Sequence, residues 1–132
     1  KTYNDMLNID RDDVDARRAK RERNIGFHGA PHVAFLFMPV FGDGVRGAGD
    51  VGMYAQTFLL SLVAHGLAGV PQTVVGFYAD IVRRELGVRD EFKLLFGMSF
   101  GIEDKSAEEN RFHLGRAPLS ESVFMHDTPG VL

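Results

Sequence analysis

The stretch that decides the fold is Asn24-Ile-Gly-Phe-His-Gly-Ala-Pro-His-Val-Ala-Phe-Leu-Phe-Met-Pro39. Within it, an apolar run from His32 to Met38 lies between Pro31 and Pro39. A run of this length between prolines is typical of a β-strand that is covered on both faces. We therefore predict a strand over these residues, preceded by a Gly-Ala-Pro turn.

An exposed helix is predicted before this stretch, over Asp10 to Arg23. Acids crowd its start and bases crowd its end, an order that complements the helix dipole at both termini. A nucleic-acid surface is the alternative interpretation of the bases. No aromatic residue lies among them and the acids lie one turn away, which favours a plain solvent-exposed helix.

A long helix is predicted after the strand, from Val51 to His65, because apolar residues cover most of its circumference. Asp50 is a fair N-cap, and Gly66 suits the position just after the last turn. A helix of this kind is expected to be buried, either in a core or against another subunit.

Shorter patterns predict an amphipathic helix that ends at Gly87, a second buried strand, a polar loop and a last strand. Their bounds are Tyr78 to Leu86, Phe92 to Phe100, Gly101 to Gly115 and Ser122 to His126. With 132 residues and no interdomain linker, the chain fits a single domain over residues 1–132.

Composition narrows the classes of function. The 45% hydrophobic and 25% charged content is that of an ordinary globular protein, and the net charge of -3 gives no attraction to nucleic acid or anionic membrane. No apolar run is long enough to span a bilayer. The absence of cysteine excludes a disulfide framework, a thiolate zinc site and a thiol nucleophile, and it is compatible with the reducing cytoplasm.

Three common chemistries find little support in the motifs. The loop at residues 42–47 matches a dinucleotide-binding fingerprint only weakly, because residues 51–79 contain no acid that could bind a ribose. His28 and His32 have the spacing of a helical metal site, but a glycine and a proline separate them. None of the serines lies in the Gly-x-Ser-x-Gly elbow of a hydrolase.

The segment Pro71-Gln-Thr-Val-Val-Gly76 is more informative. A turn that begins at proline and ends at glycine exposes backbone N–H groups and leaves no Cβ in the path of a flat ring. A flavin needs such a surface, because charge develops over its ring when hydride arrives and backbone donors stabilise that charge. From residue types alone, an ordinary turn remains the alternative.

Several of these segments together resemble the C-terminal part of an FMN-dependent nitroreductase. They are the quoted stretch, Asp50-Val-Gly-Met-Tyr-Ala-Gln56, Pro71 to Phe77, and Arg116-Ala-Pro-Leu-Ser-Glu-Ser-Val123. The resemblance implies an α+β fold with a central mixed sheet flanked by helices and a long buried dimer helix. It also implies a homodimeric flavoprotein that NADH or NADPH reduces and that reduces nitroaromatic or quinone substrates by ping-pong hydride transfer.

The resemblance also implies a cofactor site, with no catalytic side chain and no metal, since FMN carries the hydride. Backbone groups of one turn are expected at flavin N5 and O4, and a basic residue is expected at the FMN phosphate. The residues expected to bind the cofactor are Pro71, Gln72, Val74, Val75, Gly76 and Arg116.

Two departures from the family pattern leave a second hypothesis open. The family's Arg-rich phosphate-binding segment is expected N-terminal to Lys1, so residues 1–132 contain no counterpart of it. A second basic residue is expected two positions before Arg116, where this sequence has Leu114. The chain is therefore either the C-terminal part of a cytoplasmic reductase or a non-catalytic remnant that dimerises but binds flavin weakly or not at all. Neither hypothesis includes nucleic acid or a membrane as a partner.

Overall fold

The computed structural model describes residue 7, residues 9–111 and residues 115–124. Within these ranges lie three α-helices and three strands. The helices are α1 (Val14–Ile25), α2 (Val45–Ala64) and α3 (Ala79–Leu86), and the strands are β1 (His32–Pro39), β2 (Ala68–Gln72) and β3 (Phe92–Gly101). Short 3₁₀ segments cover Phe27–Gly29, Thr73–Tyr78, Glu108–Arg111 and Leu119–Glu121.

The strands form one sheet in the order β1-β3-β2, with β3 in the centre. This combination of sheet and helices confirms the predicted α+β class. Both described pairings are antiparallel, because the chain reverses direction between β3 and each neighbour, so the predicted mixed sheet is not seen in this part of the chain. The β1–β3 register shifts between Leu36 and Phe37, which leaves Leu95 as a bulge residue on β3.

The core lies between the sheet and helix α2. Leu36, Ala55 and Met98 form its buried centre, and Phe58 and Leu59 of α2 pack against them. The strand predictions for β1 and β3 are confirmed to within one residue at each end, since each supplies buried apolar residues to this core.

Helix α2 begins earlier than predicted, at Val45 instead of Val51. Its N-cap is Gly44, with a positive φ of 75°, so the predicted cap at Asp50 is wrong. Glycine suits this N-cap because of its positive φ and because a Cβ at Gly44 would lie 2.9 Å from the Cε of Met38. The end of the helix agrees with the prediction, because Gly66 follows it with a φ of 71°.

The described residues bury only part of this helix, so the predicted burial in a core is not met by this chain alone, and burial against another subunit stays a prediction. Only Ala55 and Leu62 of α2 are buried, because three strands cover a single stripe of a helix. Beyond its first turn, four large apolar residues of α2 expose 62–70% of their surface, namely Met53, Tyr54, Leu60 and Val63. They span about half of the helix circumference, and we call these four residues the open face of α2.

Strand β2 was not predicted, and the predicted last strand is not found. Residues 122–124 form no strand, and residues 125–126 lie outside the described residues. The backbone N–H groups of Ser122 and Val123 donate to the carbonyl oxygen of Leu119, at 3.0 and 2.7 Å, which favours a 3₁₀ turn over a ladder.

Gly69 allows α2 to lie close to β2. A Cβ at this position would lie 2.8 Å from Leu62 Cδ1 and 3.0 Å from Leu59 Cδ2. We expect Gly69→Val to lower the free energy of unfolding by about 1–3 kcal/mol, the usual effect of overpacking, in urea denaturation. Gly49→Val is the control, since a Cβ there meets nothing within 4 Å. An equal loss in both variants would contradict the packing argument.

Candidate functional site

The predicted cofactor segment begins at the end of β2 and continues into the 3₁₀ segment Thr73–Tyr78. We call the latter the 73–78 segment. Gln72, opposite Gly97 in the sheet, is only 3% exposed, and Val75 is also buried. Pro71 is exposed. The side chains of Gln72 and Val75 therefore point into the protein. The groups of these two residues that a ligand could contact are their backbone N–H and C=O groups.

Val75 and Gly76 fix the segment against β3. A Cβ at Gly97 would lie 3.3 Å from Val75 Cγ2, so the glycine leaves the space that Val75 fills. A Cβ at Gly76 would lie 3.4 Å from the carbonyl oxygen of Leu95, the bulge residue. A Cβ at Gly76 would therefore face β3 at about ordinary contact distance, and the expected role of this glycine beside the flavin ring stays a prediction.

The side chain of Gln72 is bonded to helix α1. Its Nε2 donates to the carbonyl oxygen of Asn24 at 2.6 Å and to Asn24 Oδ1 at 2.8 Å. The Nε2 end of this amide is thus engaged with Asn24, and the expected contact of Gln72 with FMN stays a prediction.

Arg116 lies in an irregular stretch near the end of the described residues and is exposed. No hydrogen bond or ion pair joins its guanidinium to another residue that the structure describes. Among the described residues, its charge is therefore available to an anion. Leu114, where a second base was expected, lies outside the described residues.

A cleft of about 470 Å³ lies at the other end of the sheet, where β1 begins and β3 ends. None of the six residues predicted to bind the cofactor lines it. Its rim includes the ion pair between Arg23 and Glu109, whose atoms are 2.5 Å apart. Burial lowers the pKa of His28 at this rim, the charge of Arg23 lowers it further, and Glu109 opposes both.

The rim of the cleft also has an unusual backbone. Phe27 and His28 both have a φ of 55°, and Gly29 follows with a φ of 72°. Positive φ is rare for a bulky residue such as Phe. Phe27 is held by an edge-to-face contact with Phe35, at 6.1 Å between ring centroids. No periodicity in the sequence signals such a turn.

Other kinds of site find no support in the described ranges. These ranges contain no group of three or more His, Cys, Asp or Glu residues placed to hold a metal. His32 stacks on Phe100, at 5.3 Å between ring centroids. Among the same residues, no helix has the length and apolarity needed to cross a bilayer.

Comparison with known proteins identifies the family. The sequence model of the Nitroreductase family matches residues 1–102. The chain belongs to the nitroreductase family. Nitroreductase NfnB of Mycolicibacterium smegmatis is 48% identical over 117 residues, which are 89% of this chain and 49% of that protein. Nitrobenzene nitroreductase of Ectopseudomonas oleovorans is 29% identical over 126 residues, 93% of this chain and 54% of that protein.

Solved nitroreductases share the fold. The FMN-dependent nitroreductase NfnB from Mycobacterium smegmatis, crystallised with NADPH, matches with a TM-score of 0.88 and 46% identity over 93% of this chain and 55% of that one. The FMN and NADPH-dependent NfnB from Sphigopyxis sp. strain HMH matches with a TM-score of 0.86 and 35% identity, over 95% of this chain and 56% of that one. This nitroreductase chain thus spans about half the length of the relatives it matches.

Proposed function

We propose that this chain is the C-terminal part of an FMN-dependent NAD(P)H oxidoreductase that reduces nitroaromatic or quinone substrates. The observation that carries the proposal is its likeness to NfnB of Mycobacterium smegmatis in both sequence and fold. NfnB is described as FMN-dependent and was crystallised with NADPH. The lack of cysteine is compatible with a cytoplasmic location, which we also propose.

The residues present fit a flavin site at the 73–78 segment. The first N–H groups of a 3₁₀ turn have no acceptor inside the turn, so they can donate to the ring edge of a flavin. Val75 and Gly76 are packed against β3, which holds those groups in place. Bound FMN would supply the hydride chemistry, and the protein would orient the ring and stabilise the charge that develops on it.

The open face of α2 supports a homodimer. It presents Met53, Tyr54, Leu60 and Val63 on a single helix. A contiguous exposed apolar patch normally marks an interface, and interfaces of obligate homodimers resemble a domain core cut in half. We therefore propose a second copy of the chain as the partner of this face.

Arg116 is proposed to bind the FMN phosphate. We expect Arg116→Ala to weaken FMN binding by about 1.5–3 kcal/mol, the usual contribution of a hydrogen bond to a charged group. Arg116→Lys should recover only part of it, because a point charge replaces a bidentate fork. Fluorescence titration with FMN measures both variants. An unchanged affinity in the alanine variant would remove Arg116 from the site.

The proposed function itself is tested by flavin binding and turnover. The purified protein, incubated with FMN and desalted, should keep a flavin absorption band and oxidise NADPH when a nitroaromatic compound is added. A protein that stays colourless after this treatment would instead be the non-catalytic remnant, a nitroreductase-like chain that dimerises without flavin.

A further inference from the structure

Gln72 joins two parts of the molecule that are 48 residues apart in sequence. Its side chain leaves the last position of β2 and reaches Asn24, near the end of α1. The carbonyl oxygen of Asn24 can only accept, so the end of the amide that faces it is the Nε2 donor and not Oε1. This contact lies immediately before the 73–78 segment.

The other end of the same amide has no partner. Gln72 Oε1 is buried and makes no hydrogen bond to the residues that the structure describes. A buried acceptor without a donor is unfavourable. An apolar side chain of the same length would avoid this penalty, so the contribution of the glutamine lies in the bonds to Asn24.

The Asn24 side of the contact is also constrained. Asn24 is followed, after Ile25 and Gly26, by the positive φ angles of Phe27 and His28. Such a backbone persists only where the surrounding structure holds it. The bonds from Gln72 and the ring contact between Phe27 and Phe35 are two such constraints. Together they hold the end of α1 in place, and the 73–78 segment is attached to it through Gln72.

We infer that Gln72 is a positioning residue for flavin reduction, because its bonds to Asn24 set where the 73–78 segment meets the flavin. The inference rests on the proposed function, in which backbone groups of that segment face the ring. Gln72 does not touch the reacting atoms with its side chain. It acts through the residues that follow it, and small displacements at a reacting centre have large effects on rate.

The test compares three variants of the full-length protein at saturating FMN. Gln72→Met keeps the side-chain length and removes the bonds to Asn24. We expect it to slow flavin reduction by NADPH about 10–100-fold in stopped-flow measurements, and to shift the midpoint potential of the bound flavin. Leu36→Val, a core truncation that leaves the bonds between Gln72 and Asn24 in place, is the control for lost stability and should keep the wild-type rate.

Gln72→Glu adds a readout that a merely structural role would not give. A carboxylate cannot donate to Asn24, whereas a protonated carboxyl group can. Burial against two oxygen acceptors should raise the pKa of this carboxyl group. The rate of the variant relative to wild type should therefore recover as the pH falls through that raised pKa.

Three results would overturn the inference. A wild-type rate and potential in Gln72→Met would show that the contact does not position the segment. An equal slowing of flavin reduction in Leu36→Val would show that the slower rate of Gln72→Met comes from lost stability and not from a displaced segment. A wild-type protein that binds no FMN would refute the proposed function and this inference with it. That outcome is told apart from the other two because it is seen in the wild-type protein, before any variant is measured.

Discussion

Met98→Ala is expected to lower the free energy of unfolding by about 2–5 kcal/mol, the usual range for truncating a buried methionine. Met98 is fully buried in the central strand β3 and packs with Leu36 and Ala55. Removing its side chain leaves a cavity where the sheet meets α2, and the neighbours can close it only in part. Urea denaturation followed by circular dichroism measures the change.

Ile102→Ala is the matched control for Met98→Ala. Ile102 lies just beyond the end of β3 and is 87% exposed, so its truncation should change the stability by less than about 0.5 kcal/mol. A similar loss in both variants would mean that the core is not centred on Met98.

Leu60→Glu is expected to weaken the proposed homodimer at least about 100-fold, or ~2.7 kcal/mol. Leu60 is 62% exposed on the open face of α2, and a second copy packed there would have to bury the new carboxylate without a partner charge. Sedimentation at low micromolar concentration should show a dimer for the wild type and a monomer for this variant.

The control places the same substitution on another helix. Leu86 is 54% exposed at the end of α3, so Leu86→Glu adds an equal charge at a similar exposure and should leave the dimer intact. A wild-type protein that sediments as a monomer and unfolds cooperatively would contradict the proposed role of α2.

Elements with strong local signals were predicted well from the sequence. Helix α3 ends where expected, because Gly87 adopts a φ of 63°. Helix α1 was predicted to begin at Asp10, whereas it begins at Val14, with Asp13 as the cap that accepts from the N–H of Ala16 at 2.8 Å. Several acids there are equally good caps, so the sequence alone cannot choose among them.

Strand β2 could not be predicted, because its reason is tertiary. Ala68-Gly-Val-Pro-Gln72 shows no alternation and contains both glycine and proline. It forms a strand because its backbone pairs with β3 and because Gly69 leaves room for the side chains of α2. The early start of α2 has a similar origin, since its N-cap Gly44 lies against Met38 while the glycines of the first turns disfavour a helix by intrinsic propensity.

For the candidate site, the sequence singled out residues 71–76 and Arg116, and their contacts with FMN stay a prediction. What it could not reveal is how the segment is held. The bond from Gln72 to Asn24 joins distant positions and leaves no periodic signal, and the role of Gly76 depends on the bulge at Leu95. Both facts come from packing between elements.

The prolines of the sheet have a consequence for aggregation. In the described sheet the outer strands are β1, which Pro31 precedes and Pro39 ends, and β2, which contains Pro71. An open strand edge is a template onto which another chain can add, and proline has no N–H to donate to such an added strand. In the described part of the chain, each outer strand therefore has a proline within it that removes one backbone donor, which disfavours the addition of another strand at that position.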